Sequence, residues 1–110
     1  MISIPRLGNH IEVADSFGKR LKGLLGRGSL AEGEGLLLES CASVHTCFMK
    51  FPVDLCFLDG GWRVLRTVEA LPPWRSASAL GASRVLEVGA GALSKAGVRE
   101  GDVLEAVPCA

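Results

Sequence analysis

The chain has no excess of charge of either sign: Lys and Arg total 12, and Asp and Glu total 12. Without surplus positive charge to neutralise phosphates, the composition points away from a nucleic-acid partner. Long hydrophobic runs are also missing. No stretch approaches the ~18 consecutive apolar residues that cross a bilayer, so no membrane span is expected. The first residues, Met1-Ile-Ser-Ile-Pro-Arg6, lack the basic start and apolar core of an export leader. The expectation is therefore a soluble, cytoplasmic protein with reduced thiols. There are no internal repeats and no low-complexity tract.

What is present is enough for one packed unit. In 110 residues, 48% are apolar and 22% charged. That composition excludes disorder and is expected to fold as a single domain over residues 1–110. A chain of this size buries roughly two thirds of its extended surface, so it needs no metal, disulfide frame or other cofactor to be stable.

Taken in order, Ile11-Glu-Val13 alternates apolar and polar residues as a half-buried strand does. Asp15 and Ser16 can cap a helix start, and Phe17, Leu21, Leu24 and Leu25 recur at helical spacing. These residues predict an amphipathic helix near residues 16–26, with Lys19, Arg20 and Lys22 on its solvated face. Leu36-Leu-Leu38 predicts a short buried strand. Val53–Leu58 is apolar except at Asp54, which predicts a strand covered on both faces.

Asp59-Gly60-Gly61 then signals a hairpin, with glycine expected at the positive φ of a primed turn. The return strand spans residues 62–71, and Pro72-Pro73 stops it. Residues 76–82 read as a loop of small residues, 85–88 as a strand, 93–96 as one helical turn and 103–107 as a last strand. Many short strands with one longer helix imply a mainly β (β-rich α+β) domain. Its strands are expected to be mostly antiparallel and to form a small, partly closed barrel that hides their edges.

Chemistry concentrates in residues 43–59, S-V-H-T-C-F-M-K-F-P-V-D-L-C-F-L-D. Cys41, His45 and Cys47 are spaced C-x3-H-x-C, but the paired arms of a structural zinc site are missing, so buried free thiols are favoured and no metal is expected. A Cys–His nucleophile is disfavoured because His45 is seldom aimed at a sulfur two or four residues along a strand. Gly89-Ala-Gly91-Ala-Leu-Ser94-Lys95 fits neither a phosphate loop nor a dinucleotide fingerprint, since Ser94 stands where each motif requires glycine.

Asp54 and Glu87 are lone carboxylates in apolar strands, and each needs a partner or access to water. Arg27 and Arg84 are the expected partners, Arg27 for Asp54. The alternative is a polar pocket beside the central strand, lined by His45, Lys50 and Asp54.

At this point the motifs align with a family. Arg20-Leu-Lys-Gly23-Leu24-Leu25-Gly26-Arg27 resembles the R-x-x-G-L-M-x-R helix of the DUF192 (UPF0127) proteins. Residues 47–59 are similar to that family's F-W-M-K-N-T-x-I-P-L-D-I-x-F-I-D block. Residues 85–91 match V-L-E-x-x-A-G, and residues 97–102 match G-[ILV]-x-x-G-D. The resemblance implies a compact barrel-like fold with a helix, and it supplies no activity. The chain departs from the pattern where Phe51 leads directly to Pro52 and the family's Asn-Thr is missing.

The sequence therefore supports a non-enzymatic binding or accessory module for a small ligand or a protein partner. Its candidate pocket residues are His45, Lys50, Asp54, Arg27 and Glu87, and no catalytic residue is assigned. The alternative is a small enzyme using His45 with Asp54 as acid and base.

Overall fold

The computed structural model describes residues 2–14, 30–46 and 49–108, so the helix expected over 16–26, with Arg27, lies outside the described residues. Within them run β1 (Ile2–Ile4), β2 (Gly8–Ala14), β3 (Glu34–Glu39), β4 (Ser43–His45), β5 (Val53–Leu58), β6 (Val64–Leu71), β7 (Ser76–Ser78), β8 (Arg84–Gly89), helix α1 (Ala92–Ala96) and β9 (Val107–Pro108). Seven strands form one sheet in the order β6-β5-β8-β3-β2-β1-β9, and β4 pairs with β7 as a separate ribbon. Pairing is antiparallel except between β2 and β3. No helix among the described residues is long and apolar enough to cross a membrane.

Both faces of the sheet are covered, which is why β5 and β8 read as nearly continuous apolar runs. On one face Cys56, Leu58, Leu37, Leu86 and Val88 pack with Ile4, Ile11, Leu93 and Leu104. On the other, Val53, Leu55, Phe57, Leu36, Leu38 and Val85 pack with Val44, Met49 and Phe51. Helix α1 and the terminal segments close the first face, and the β4–β7 ribbon closes the second.

The mainly β class is as expected, but the barrel is not closed. Residues 101–104 reach β6 through one isolated bridge, Arg63 to Val103, and through the Val64, Gly101 and Leu104 N–H groups. The chain then crosses to β1, where β9 adds only two residues. The strand expected over 103–107 is thus a bridge followed by a short edge strand. Pro108, with no N–H to donate, limits the ladder at β9.

Two further local expectations change. Residues 76–82, expected as a loop, contain β7, whose small residues leave room for Ala77 to pair against Val44. At the β5–β6 hairpin, glycine does not take the left-handed position. Trp62 does, with φ 66°. Asp59 explains the shape: its Oδ1 accepts the N–H groups of Gly61 and Arg63, each at 2.9 Å, while Trp62 N–H closes onto Asp59 O at 3.1 Å. The Asp side chain builds the turn, and Trp62, three residues on, absorbs the positive φ.

Candidate functional site

Strand alternation decides where the two buried carboxylates go. Asp54 shares the face of Cys56 and Leu58 and sits in register with Val88. Glu87 shares the face of Val85 and sits in register with Leu55 and Leu36. Both are fully buried, but they occupy opposite faces of the sheet and cannot act together.

Asp54 is satisfied by backbone. Its Oδ1 accepts Ala70 N–H at 2.8 Å, and its Oδ2 accepts Gly91 N–H at 3.0 Å and Leu93 N–H at 3.1 Å. Three amide donors on one carboxylate fix the start of α1 and the end of β6 against β5. Ala70 is held left-handed, φ 50°, at the register shift in β6, which brings its N–H within reach.

Arg84, the other expected partner, donates Nε to Glu39 Oε1 at 3.0 Å, and its guanidinium lies 4.4 Å from the centroid of the Trp62 ring. His45 and Lys50 are exposed. His45 lies on the ribbon over the face opposite Asp54, so the structure does not gather His45, Lys50, Asp54 and Glu87 into one pocket. Arg27 lies outside the described residues.

One cleft is lined by none of His45, Lys50, Asp54 and Glu87. A cleft of about 560 Å3 opens between residues 30–34, the turn 89–92 and α1, with Arg6 and Leu7 as a third wall. Close backbone approach shapes it. A Cβ on Gly8 would stand 2.2 Å from Gly33 O, and one on Gly89 would stand 3.2 Å from Leu30 O. Gly33 and Gly91, at φ 83° and 92°, turn the two lips.

The charges at the rim are organised. Lys95 Nζ reaches across to Glu32 Oε1 at 2.5 Å. Arg6 donates Nη1 to Asp102 Oδ2 at 3.1 Å and Nη2 to Gly97 O at 2.9 Å. The hydrogen bond and charge of Lys95 hold the Glu32 carboxyl below its ordinary range. The N–H of Arg99, then Arg6, do the same for Asp102. Sequence reading passed over this site because its walls are glycines and alanines from segments far apart in the chain. The one available signal is the Gly89–Lys95 run, which fits no nucleotide-loop motif.

Cys41 and Cys56 are free thiols. Cys41 Sγ donates to Ser43 O at 3.0 Å, and Cys47 lies outside the described residues. Burial, and secondarily the charge of Asp102, push the Cys56 thiol up to about 12, so it stays protonated and inert. Among the described residues, no three His, Cys, Asp or Glu side chains are grouped to hold a metal ion.

These features define a small, β-rich, open-sheet domain with a polar side cleft and a backbone-caged carboxylate. The chain belongs to the DUF192 family, described as an uncharacterized ACR, whose family model matches residues 5–106. No curated protein matches the chain. Two solved structures are similar. A protein of unknown function from Novosphingobium aromaticivorans has 24% identity and a TM-score of 0.76, covering 94% of this chain and 81% of that one. A putative transcription regulator from Sinorhizobium meliloti has 23% identity and a TM-score of 0.78, covering 96% and 89%. At these identities the likeness is one of fold.

Proposed function

We propose that the protein is a non-enzymatic binding module that takes a small polar ligand in the cleft between residues 30–34 and 89–92. The observation that carries this reading is the cleft itself. Its volume of about 560 Å3 falls within the usual range for small-molecule sites, and its rim sets Arg6, Glu32 and Lys95 around walls of glycine and alanine. Backbone amides and short side chains leave room for a ligand, while paired charges of both signs supply orientation.

The enzyme alternative is disfavoured by geometry. General acid–base catalysis needs a proton donor and acceptor converging on one substrate atom. Asp54 has its oxygens occupied by three amides and is fully buried, and His45 lies over the other face of the sheet.

The test is a thermal-shift screen of amino acids, dicarboxylates, sugar phosphates and nucleotides against the wild type and Ala90→Trp, an exposed position on the cleft wall. The expected result is one chemical class that raises the melting temperature of the wild type and leaves the variant unmoved. Equal stabilisation of both proteins, or no response to any class, would refute a ligand-binding cleft.

A further inference from the structure

The β4–β7 ribbon presents a second surface that shares no residue with the cleft. Val44 and Ala77 face inward onto the sheet, so alternation turns Ser43, His45, Ser76 and Ser78 outward, and all four are exposed. A large apolar side chain stands at each end of this polar strip. Trp74 is 58% exposed, and Leu80 is exposed completely. Ala79 N–H donates to Ala42 O at the Leu80 end, and Trp74 N–H donates to Thr46 O at the other. Six residues of extended chain separate the two tips by up to roughly 20 Å.

Trp74 is held in place. Its φ of 64° is left-handed, a conformation that a bulky residue keeps only when its surroundings over-determine it. Thr46 does so from a fully buried position. Its Oγ1 donates to Pro72 O at 2.6 Å and accepts Arg75 N–H at 2.9 Å, and its own N–H donates to Arg75 O at 2.8 Å. The clamp fixes the backbone that carries the indole.

The two segments that form this strip carry charge of one sign. Segments 41–52 and 70–83 contain Lys50 and Arg75 and no Asp or Glu, in a chain whose charges otherwise balance. Arg66 joins them from β6, donating Nη1 to Ser78 O at 2.6 Å. Glu69 is the carboxylate of that strand.

We propose that the outer face of the ribbon docks on an anionic bilayer surface. Trp74 and Leu80 enter the interfacial layer, and Lys50, Arg66 and Arg75 meet the phospholipid head groups. An indole with an apolar body and a polar N–H suits the head-group boundary, and Lys50 and Arg75, from segments that hold no Asp or Glu, are drawn to an anionic leaflet. Two apolar tips joined by a strip of serines fit a plane. A nucleic-acid strand would make no use of Leu80, and an acidic protein would call for a shaped recess between the tips.

The experiment is flotation of the full chain with vesicles of phosphatidylcholine, alone or with one third phosphatidylglycerol, paired with indole fluorescence of Trp62→Phe, in which Trp74 is the sole tryptophan. The expected results are partitioning that requires the anionic lipid and a blue shift of Trp74 emission on those vesicles. Arg75→Glu and Lys50→Glu should each weaken partitioning by about fivefold or more. Leu80→Ser should weaken it too, with an unchanged melting temperature. Absence of vesicle binding, undiminished binding by both Trp74→Ser and Leu80→Ser, or preference for oligothymidylate or polyglutamate over the vesicles would overturn the proposal.

Discussion

The backbone N–H of Gly91 donates to Oδ2 of the buried Asp54 at 3.0 Å, fastening the turn before α1 to β5. Leu93 N–H makes a parallel bond, and Ala70 N–H holds the other oxygen. One side chain thus joins three segments remote in sequence, including a wall of the cleft.

Asp54→Ala should therefore be among the more damaging substitutions. It strands three amide donors beside the core, and hydrogen bonds to a charged group are worth roughly 1.5–3 kcal/mol each before relaxation and water entry. A loss of roughly 3–5 kcal/mol in urea unfolding is expected, as for other buried charge networks that lose a partner. A loss below about 1 kcal/mol would show that water replaces the carboxylate.

Trp62 reverses the ordinary ranking of alanine and glycine. Its left-handed φ of 66° costs a side chain with a Cβ about 1–2 kcal/mol, and glycine nothing comparable. Trp62→Ala and Trp62→Gly both lose the packing and the ring under Arg84. Trp62→Gly should nevertheless be the more stable of the two by roughly 1 kcal/mol, whereas glycine is normally the worse residue. Chemical denaturation of both variants checks the order.

Gly8 is fixed by proximity. A Cβ there would meet Gly33 O at 2.2 Å and Gly33 Cα at 2.5 Å, and backbone cannot swing aside as a side chain can. Gly8→Ala should destabilise by about 2 kcal/mol or more. Because Gly33 lines the cleft, the same variant should weaken any ligand found there. Gly60→Ala is the control, since a Cβ at Gly60 would meet only Ser83 Oγ at 4.0 Å.

Cys56 sets an alkaline limit. Its thiol is raised from 9.0 to about 12 by burial and then by Asp102. Below pH 9 the thiol is neutral whether the chain is folded or not, and stability is unaffected. Between pH 9 and 12 the unfolded chain loses this proton while the folded chain keeps it, so stability falls as pH rises. Cys56→Ala should flatten the decline over that window in pH-dependent denaturation. Native alkylation at pH 8 should label Cys41 and spare Cys56.

The strands were legible from residues whose environment is decided locally. Leu36–Leu38, Val53–Leu58 and Val85–Val88 are apolar runs long enough to be covered on both faces, and each became a strand. Asp59-Gly60-Gly61 marked its hairpin because turn chemistry acts within four residues. The positive φ at Trp62 was hidden, since it follows from how Asp59 caps the turn and not from glycine at that point. The ribbon strand Ser76–Ser78 was hidden for a related reason. Small residues carry little strand preference of their own, and only pairing with Ser43–His45 defines them.

The sequence by itself determined which strands are buried on both faces, the mainly β class, the family and the presence of two carboxylates in apolar strands. Tertiary structure alone decided how Asp54 is satisfied, on which face Glu87 lies and where the cleft forms. Asp54 is caged by amides from Ala70, Gly91 and Leu93, and Glu87 is sent to the opposite face by a one-residue offset in strand alternation. The cleft takes its walls from residues near 6, 32 and 90. Periodicity records which residues are buried, because burial follows hydrophobicity along one element. It does not record which buried groups meet, because that depends on strand order and register between segments far apart in the chain.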